Sequence, residues 1–292
     1  MPGHHLPLAL ARDLVDDAAA AGARDIRWYG GEPLLHADLP AMIAHTIQRG
    51  LSTYVTTNAV LLDRRIDELW DAGLRAISIG LYGIGERYDG YVQRRGQFAR
   101  LEHSLKVVRE RVGDQLTIRA NWLLSRRSCD VAELDAAVEF ARRYGMQLQI
   151  DIIHYSLPYF NEGPDRELQF RAEDRAAVER VRDALLDLAA RDPSILATPV
   201  EGLRAIADWA IEGAAMRVPC DAGEMLWVGP DGTVQLCYVE FPLGNLHQGR
   251  LSELLFSPAH LDAARKAFRT ECANCHCHYA ARTARADGFR YR

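Results

Sequence analysis

Five times in the first half of this chain, a run with helical spacing of apolar residues stops at a glycine and a strand-like run begins. The passages are "AAGARDIRWYG", "QRGLSTYVTTN", "DAGLRAISIGLYG", "RVGDQLTIRANWLL" and "RYGMQLQIDIIHY". Gly22, Gly50, Gly73, Gly113 and Gly145 stand at the joints. Each sits where a helix ends in a left-handed residue, a conformation that glycine adopts without steric cost. Start signals accompany these stops. Asp38 precedes Leu39 and Pro40, and proline suits a first helical turn, where its missing N–H has no partner to lose. Asp63 precedes Ile66, Leu69 and Trp70, and Asp130 with Glu133 reads as a capping box before Leu134 and Val138. The strand-like runs are almost continuously apolar, as in a sheet covered by helices. The alternation predicts an α/β fold, and right-handed crossovers narrow it to an open doubly wound sheet or a barrel-like curl.

Either arrangement binds ligands beyond the carboxyl ends of its strands. Those ends read "WYGGEP", "VTTN", "SIGLYG", "RANWLLS" and "DIIHYS", and supply Glu32, Thr56, Thr57, Asn58, Tyr82, Arg119, Asn121 and His154. Neighbouring strands lie ~4.8 Å apart, so one small ligand reaches several of these groups. At "WYGGEPLL", Gly30 and Gly31 allow a sharp turn and a close backbone approach to a ligand. Glu32 offers a carboxylate to a cationic amine, and Pro33 stiffens the exit. The plain alternative is a glycine turn with a surface glutamate. The strand before it and the helix after it favour the ligand reading.

The pattern breaks at "YFNEGPD", around Phe160 to Asp165. Two helical stretches follow, Ala172 to Arg191 and Val200 to Ala215, and then a cysteine-rich tail. The expected segments are an α/β part over 1–157, a helical linker over 158–218 and a small cysteine domain over 219–292. Cys129 stands alone, whereas Cys220, Cys237, Cys272, Cys275 and Cys277 crowd the last quarter. In a reducing compartment, clustered cysteines hold metal more often than they form disulfides. "MLWVGPDGTVQLCY" reads as a hairpin that returns Cys237 toward Cys220, with the C-x2-C of Cys272 and Cys275 approaching from elsewhere. Four thiolates so arranged form a closed set, and spacing by itself leaves zinc, iron–sulfur or simply packed thiols open.

The net charge of −5 gives no basic field for nucleic acid or an acidic membrane. No apolar run is long enough to span a bilayer, and "MPGHHLPLAL" lacks the order of a signal peptide. A cytoplasmic protein is expected.

Taken together, these residues resemble the radical S-adenosylmethionine (SAM) superfamily. "GGEPLL" is similar to the motif that receives the cofactor's methionyl amine, "TTN" to the third-strand motif, "AISIGLYG" to the fourth strand and "TIRANWLL" to the fifth. The resemblance implies a partial (β/α)6 TIM-like barrel that holds SAM through Gly30, Gly31, Glu32, Pro33, Thr57, Asn58 and Asn121. The fourth strand departs from the family pattern, with Gly80 and Tyr82 where Ser and Asp are usual. "CDAGEMLWVGPDGTVQLCY", "GNLHQGRLSELLFS" and "CANCHC" resemble the twitch or SPASM extension. That implies one auxiliary [4Fe–4S] cluster on Cys220, Cys237, Cys272 and Cys275, with Cys277, His276 or His278 as competing ligands.

The implied activity is reductive cleavage of SAM to a 5′-deoxyadenosyl radical, which abstracts hydrogen from a peptide or small-metabolite substrate. A flavodoxin or ferredoxin would be the electron donor. The superfamily binds its SAM cluster through C-x3-C-x2-C, but no cysteine here precedes Cys129, and His4 and His5 do not replace three spaced thiolates. Leu6 to Gly22 reads as the helix after that loop. The expectation is therefore a chain that starts inside the fold and takes its SAM-binding cluster from an upstream segment. A degenerate, non-catalytic binding protein and a zinc-knuckle α/β protein are the alternatives. Cys129 reads as an inert loop thiol before a reactive one, His154 as either a satisfied histidine or a polar cofactor contact or acid–base group, and Tyr82, Tyr88 and Tyr91 as packing before a lining of the mouth; none is carried as catalytic.

Overall fold

The computed structural model describes residues 5–155, 167–237 and 240–286. His4 and the break at "YFNEGPD" lie outside the described residues. In chain order the elements are α1 (Leu8–Ala20), β1 (Asp25–Trp28), α2 (Leu39–Gln48), β2 (Ser52–Thr57), α3 (Leu62–Asp71) and β3 (Ala76–Leu81). Then come α4 (Glu86–Tyr91), α5 (Gln97–Val112), β4 (Thr117–Leu124), α6 (Val131–Arg143), β5 (Gln147–Ile152), α7 (Arg175–Arg191) and α8 (Val200–Glu212). The tail holds β6 (Trp227–Val228), β7 (Thr233–Gln235), β8 (Pro242–Asn245), α9 (Leu251–Leu254), α10 (Pro258–Phe268) and α11 (Tyr279–Arg285).

All five joint glycines have positive φ, between 57° and 99°, as left-handed helix stops require. Two start signals work differently from their sequence reading. Asp130 does cap α6, accepting from Ala132 N at 2.8 Å. Glu133, its expected capping-box partner, is instead ion-paired with Arg87 at 3.0 Å. Asp63 lies inside the first turn of α3, after an N-cap at Leu61.

The strands form one sheet in the sequential order β1-β2-β3-β4-β5. A doubly wound sheet reverses its order at a switch point, whereas a barrel adds each new strand on the same side. The observed order therefore selects the barrel-like alternative, an α/β fold of the partial TIM type. A second, antiparallel sheet has the order β6-β7-β8.

The chain divides into two compact units. The first comprises Met1–Ile79, Leu101–Thr117 and Asp221–Phe268. In it β1 pairs in parallel with β2, and β2 with β3, with Trp28 opposite Val55 and Thr57 opposite Ile79. Val55, Leu62, Ile66, Leu69 and Ile43 are fully buried and form its core with α2 and α3. The expected hairpin is present: Gly232 N bonds to Gly229 O at 3.0 Å across the Pro-Asp turn, and Gly232 has φ 79°. A third strand, β8, was not expected, because it opens on Pro242.

The second unit comprises Gly80–Arg100, Ile118–Cys220 and Arg269–Arg292. Here β4 and β5 run parallel, with Asn121 opposite Gln149. Ile118, Ala120, Trp122 and Leu124 alternate on the buried face of β4. The helices α7 and α8 match the two predicted linker helices. Against α8 lies α11, so closely that a Cβ on Gly202 would fall 2.4 Å from the Ala280 methyl carbon. Among the described residues, no helix is long and apolar enough to cross a membrane.

Candidate functional site

In the first unit, the exits of β1 and β2 are stapled together by Glu32. Its Oε1 accepts from Leu34 N at 2.9 Å and from the Thr57 hydroxyl at 2.6 Å, and its Oε2 accepts from Asn58 N at 2.9 Å. A carboxylate has about four acceptor positions, so three are spent on the chain itself. Glu32 also caps the short 3-10 turn Pro33–Leu35, where Pro33 occupies an opening position that needs no donor. Arg65, from α3, braces that turn by donating to Leu34 O at 2.6 Å and His36 O at 2.8 Å. His36 Nδ1 accepts from Asp38 N, which leaves Nε2 as the donor to Leu6 O at 3.0 Å. Gly30 and Gly31 are exposed, and a Cβ on either would meet nothing within 4 Å. The corner thus offers bare backbone held in place from behind.

Beside it, Arg27 donates to the Thr56 hydroxyl at 3.1 Å and lies over the rings of both Tyr29 and Tyr54, 5.2 Å from each centroid. Sequence reasoning passed over Arg27 and Arg65. Alternation along β1, which puts Arg27 and Tyr29 on one face, is the signal that would have found the first.

In the second unit, the knuckle "CANCHC" is tied to β5 and to the segment just after α8 by polar contacts. His276 Nε2 bonds to Ile152 O at 3.0 Å, and the Tyr279 hydroxyl donates to Ile150 O at 3.1 Å. Asn274, at φ 48°, donates through its amide to Ala214 O at 2.7 Å and Met216 O at 2.6 Å. The Tyr155 hydroxyl donates to Asn274 O. Arg282 donates to the carbonyls of Val218, Pro219 and Cys275 and to the Asn274 amide oxygen. Cys220, Cys272, Cys275 and Cys277 are all part-exposed thiols. The neighbouring Cys277 thiol, and less strongly Arg282, lower the Cys275 thiol pKa against the opposing effect of burial. Those conditions favour thiolate, the form that binds iron.

His154, just past β5, stacks on His276 with centroids 4.6 Å apart, and its Nε2 is 3.8 Å from the Cys277 sulfur. Burial lowers its pKa to about 4, which keeps it neutral. Burial likewise raises the Cys129 thiol to about 11, with the Asp174 charge adding to the effect. Tyr82 stacks on Tyr91 at 4.5 Å, and its hydroxyl lies 2.3 Å from where a Cβ on Gly80 would stand. Gly80 is therefore glycine because Tyr82 folds back over the strand. Asn121 lies on the less buried face of β4.

Residues 1–121 match the Radical SAM superfamily, and residues 220–277 match SPASM, the iron–sulfur cluster-binding domain. The first part of the chain is thus similar to the radical SAM superfamily and its tail to the SPASM domain. GTP 3′,8-cyclase of Chlorobaculum tepidum is 31% identical over 174 residues, which cover 59% of this chain and 51% of that protein. GTP 3′,8-cyclase of Rhodococcus opacus is 28% identical over 258 residues, 81% of this chain and 69% of that one. The chain thus spans about half the length of the first of these relatives. Among solved structures, anSMEcpe with bound AdoMet superposes with a TM-score of 0.68 at 12% identity, over 95% of this chain and 79% of that one. Streptococcus suis SuiB bound to S-adenosylmethionine gives 0.63 at 14% identity, over 88% and 60%. These likenesses concern the fold.

In radical SAM terms, Gly30, Gly31, Glu32, Pro33, Thr57 and Asn58 fall together in the first unit, and Asn121 in the second. Cys220, Cys272, Cys275 and Cys277 belong to the second unit. Cys237 belongs to the first, where its sulfur accepts from Glu240 N at 3.3 Å. An iron–sulfur cluster is held by cysteine thiolates, one per iron. The part-exposed thiols, one of them favoured as thiolate, fit that donor chemistry.

Proposed function

We propose that these residues bind SAM at the Gly30–Gly31 corner and an auxiliary [4Fe–4S] cluster at the tail cysteines, within an enzyme of radical chemistry. The observation that carries the first part is the corner itself. Its two glycines leave backbone open to a ligand, and Glu32 holds them there through Thr57 and Asn58. The cofactor's amine would be received by this backbone and by the remaining acceptor position of Glu32, with Asn58 alongside. Asn121 is the second unit's candidate contact. Cys220, Cys237, Cys272 and Cys275 would hold the cluster, with Cys277 as the competing ligand. Bound SAM supplies a hydrogen-abstracting radical once an electron reaches it. That step needs an iron with an open position, and no cysteine precedes Cys129 in these residues to bind one.

The proposed substrate is a peptide or small metabolite, and the proposed electron donor a flavodoxin or ferredoxin. Support for a peptide comes from fold relatives: anSMEcpe is solved with the Kp18Cys peptide and SuiB with precursor peptide SuiA. Equilibrium dialysis with labelled SAM and iron and sulfide analysis after anaerobic preparation test the reading. It expects one SAM and about four irons per chain. One zinc and no iron would sink the cluster, and binding of SAM unchanged by Glu32→Ala would sink the corner.

A further inference from the structure

The second unit contains a buried charge that its own partners do not neutralise. Arg282 lies on α11 with 2% of its surface exposed. Buried arginines usually have an ionic partner, because an isolated charge is costly in a medium of low dielectric. The acceptors of this guanidinium are three backbone carbonyls, of Val218, Pro219 and Cys275, and the side-chain oxygen of Asn274. All are neutral. The Trp209 ring covers its face at 4.8 Å, and Trp209 is itself fixed by a 2.9 Å bond from its indole N–H to the Thr283 hydroxyl.

The position of those acceptors matters. Pro219 immediately precedes Cys220, and the Cys275 carbonyl belongs to a knuckle cysteine. One planar fork therefore ties two thiol-bearing segments, 55 residues apart by number, in a single register. Asn274 extends the tie by bonding Ala214 and Met216.

We propose that Arg282 is a positioning residue that sets the Cys220 and Cys275 segments for an iron–sulfur cluster and stabilises that cluster's reduced form with its buried charge. The inference rests on the cluster reading above. A cluster held by thiolates is an anion, and it gains one further negative charge when it takes one electron from a low-potential donor. No bond or proton moves in that step. A fixed cation in a poorly screened setting favours the more negative state.

The test uses the whole chain, reconstituted anaerobically with ferrous iron and sulfide and then titrated with dithionite under EPR. Bound iron and a thermal melt are measured on the same samples. Arg282→Met keeps the bulk and removes the charge. It is expected to lower the preference for the reduced state about tenfold, a midpoint about 59 mV more negative. Arg282→Lys keeps the charge but cannot span four acceptors. It is expected to keep the midpoint and lose at least about half of the bound iron. A loaded Met variant with the wild-type midpoint, or a Lys variant with full iron, overturns the proposal. If the Met variant does not fold, the Lys variant still decides the positioning role. A wild-type chain that takes up no iron overturns the cluster reading instead, so the two failures are distinct.

Discussion

The Glu32 corner and the cysteine knuckle handle charge in opposite ways. At the corner an anion is held by three donors of its own neighbourhood, no more than 26 residues away in sequence, and the Asn58 side of it is exposed. At the knuckle a cation is buried, and two of its acceptors come from residues 63 and 64 positions away. The difference shows what each charge is for. Hydrogen bonds to the Glu32 carboxylate fix backbone shape, and water supplies the remaining screening. Neutral acceptors fix the orientation of Arg282 but leave its field intact, and that field acts on whatever sits at the neighbouring thiols.

The largest expected effect comes from cutting the knuckle's anchor. Asn274→Ala removes three hydrogen bonds and places a β-carbon residue without a compensating side chain at φ 48°. A loss of about 2–4 kcal/mol in chemical unfolding is expected. Asn274→Gly relieves only the backbone part and should recover less than half. Full recovery by glycine would show that the amide bonds do little.

Next comes thiol reactivity, which separates the knuckle from the rest of its own unit. In the metal-free chain at pH 7.5, Cys129 should alkylate on the order of 100-fold more slowly than a free cysteine, because burial raises its pKa to about 11. Cys275 should react faster than Cys129. Equal rates by peptide mass mapping would contradict the assigned environments.

At the corner, Glu32→Ala leaves the Thr57 hydroxyl and two backbone N–H groups to find water. The expected cost is about 1.5–3 kcal/mol, with Glu32→Gln intermediate. A Glu32→Ala protein as stable as the parent would mean that the staple is ornamental. The smallest effect is expected at an exposed pair in the first unit. Arg250, at 2.7 Å, and the Ser252 amide hold the Asp17 carboxyl below its usual range. The folded pKa is depressed, so this stabilisation is complete above the ordinary aspartate pKa and is lost as pH falls through the folded value. The melting-temperature gap between the parent and Asp17→Asn should close as pH drops from 6 to about 2; a constant gap would break the assignment.

The comparison also marks what could be read in advance. Helix stops were legible because each glycine answers a local demand for positive φ, and all five have it. The turn between Gly229 and Gly232 was legible for the same reason. The corner's members were legible as strand-end residues, but the orientation of the Glu32 carboxylate toward Thr57 and Asn58 was not, since it depends on where two strand exits meet. Nothing local in "YAARTAR" says that Arg282 is buried.

The sequence by itself determined the alternation of helices and strands, the places where they stop, and the crowding of thiols in the tail. These follow from backbone preferences and spacing, which act over a few residues. The tertiary structure alone decided the sequential strand order, the addition of β8, the donors that Glu32 accepts from and the neutral partners of Arg282. Those depend on contacts between residues far apart in the chain, where burial changes the cost of a charge and no local pattern records it.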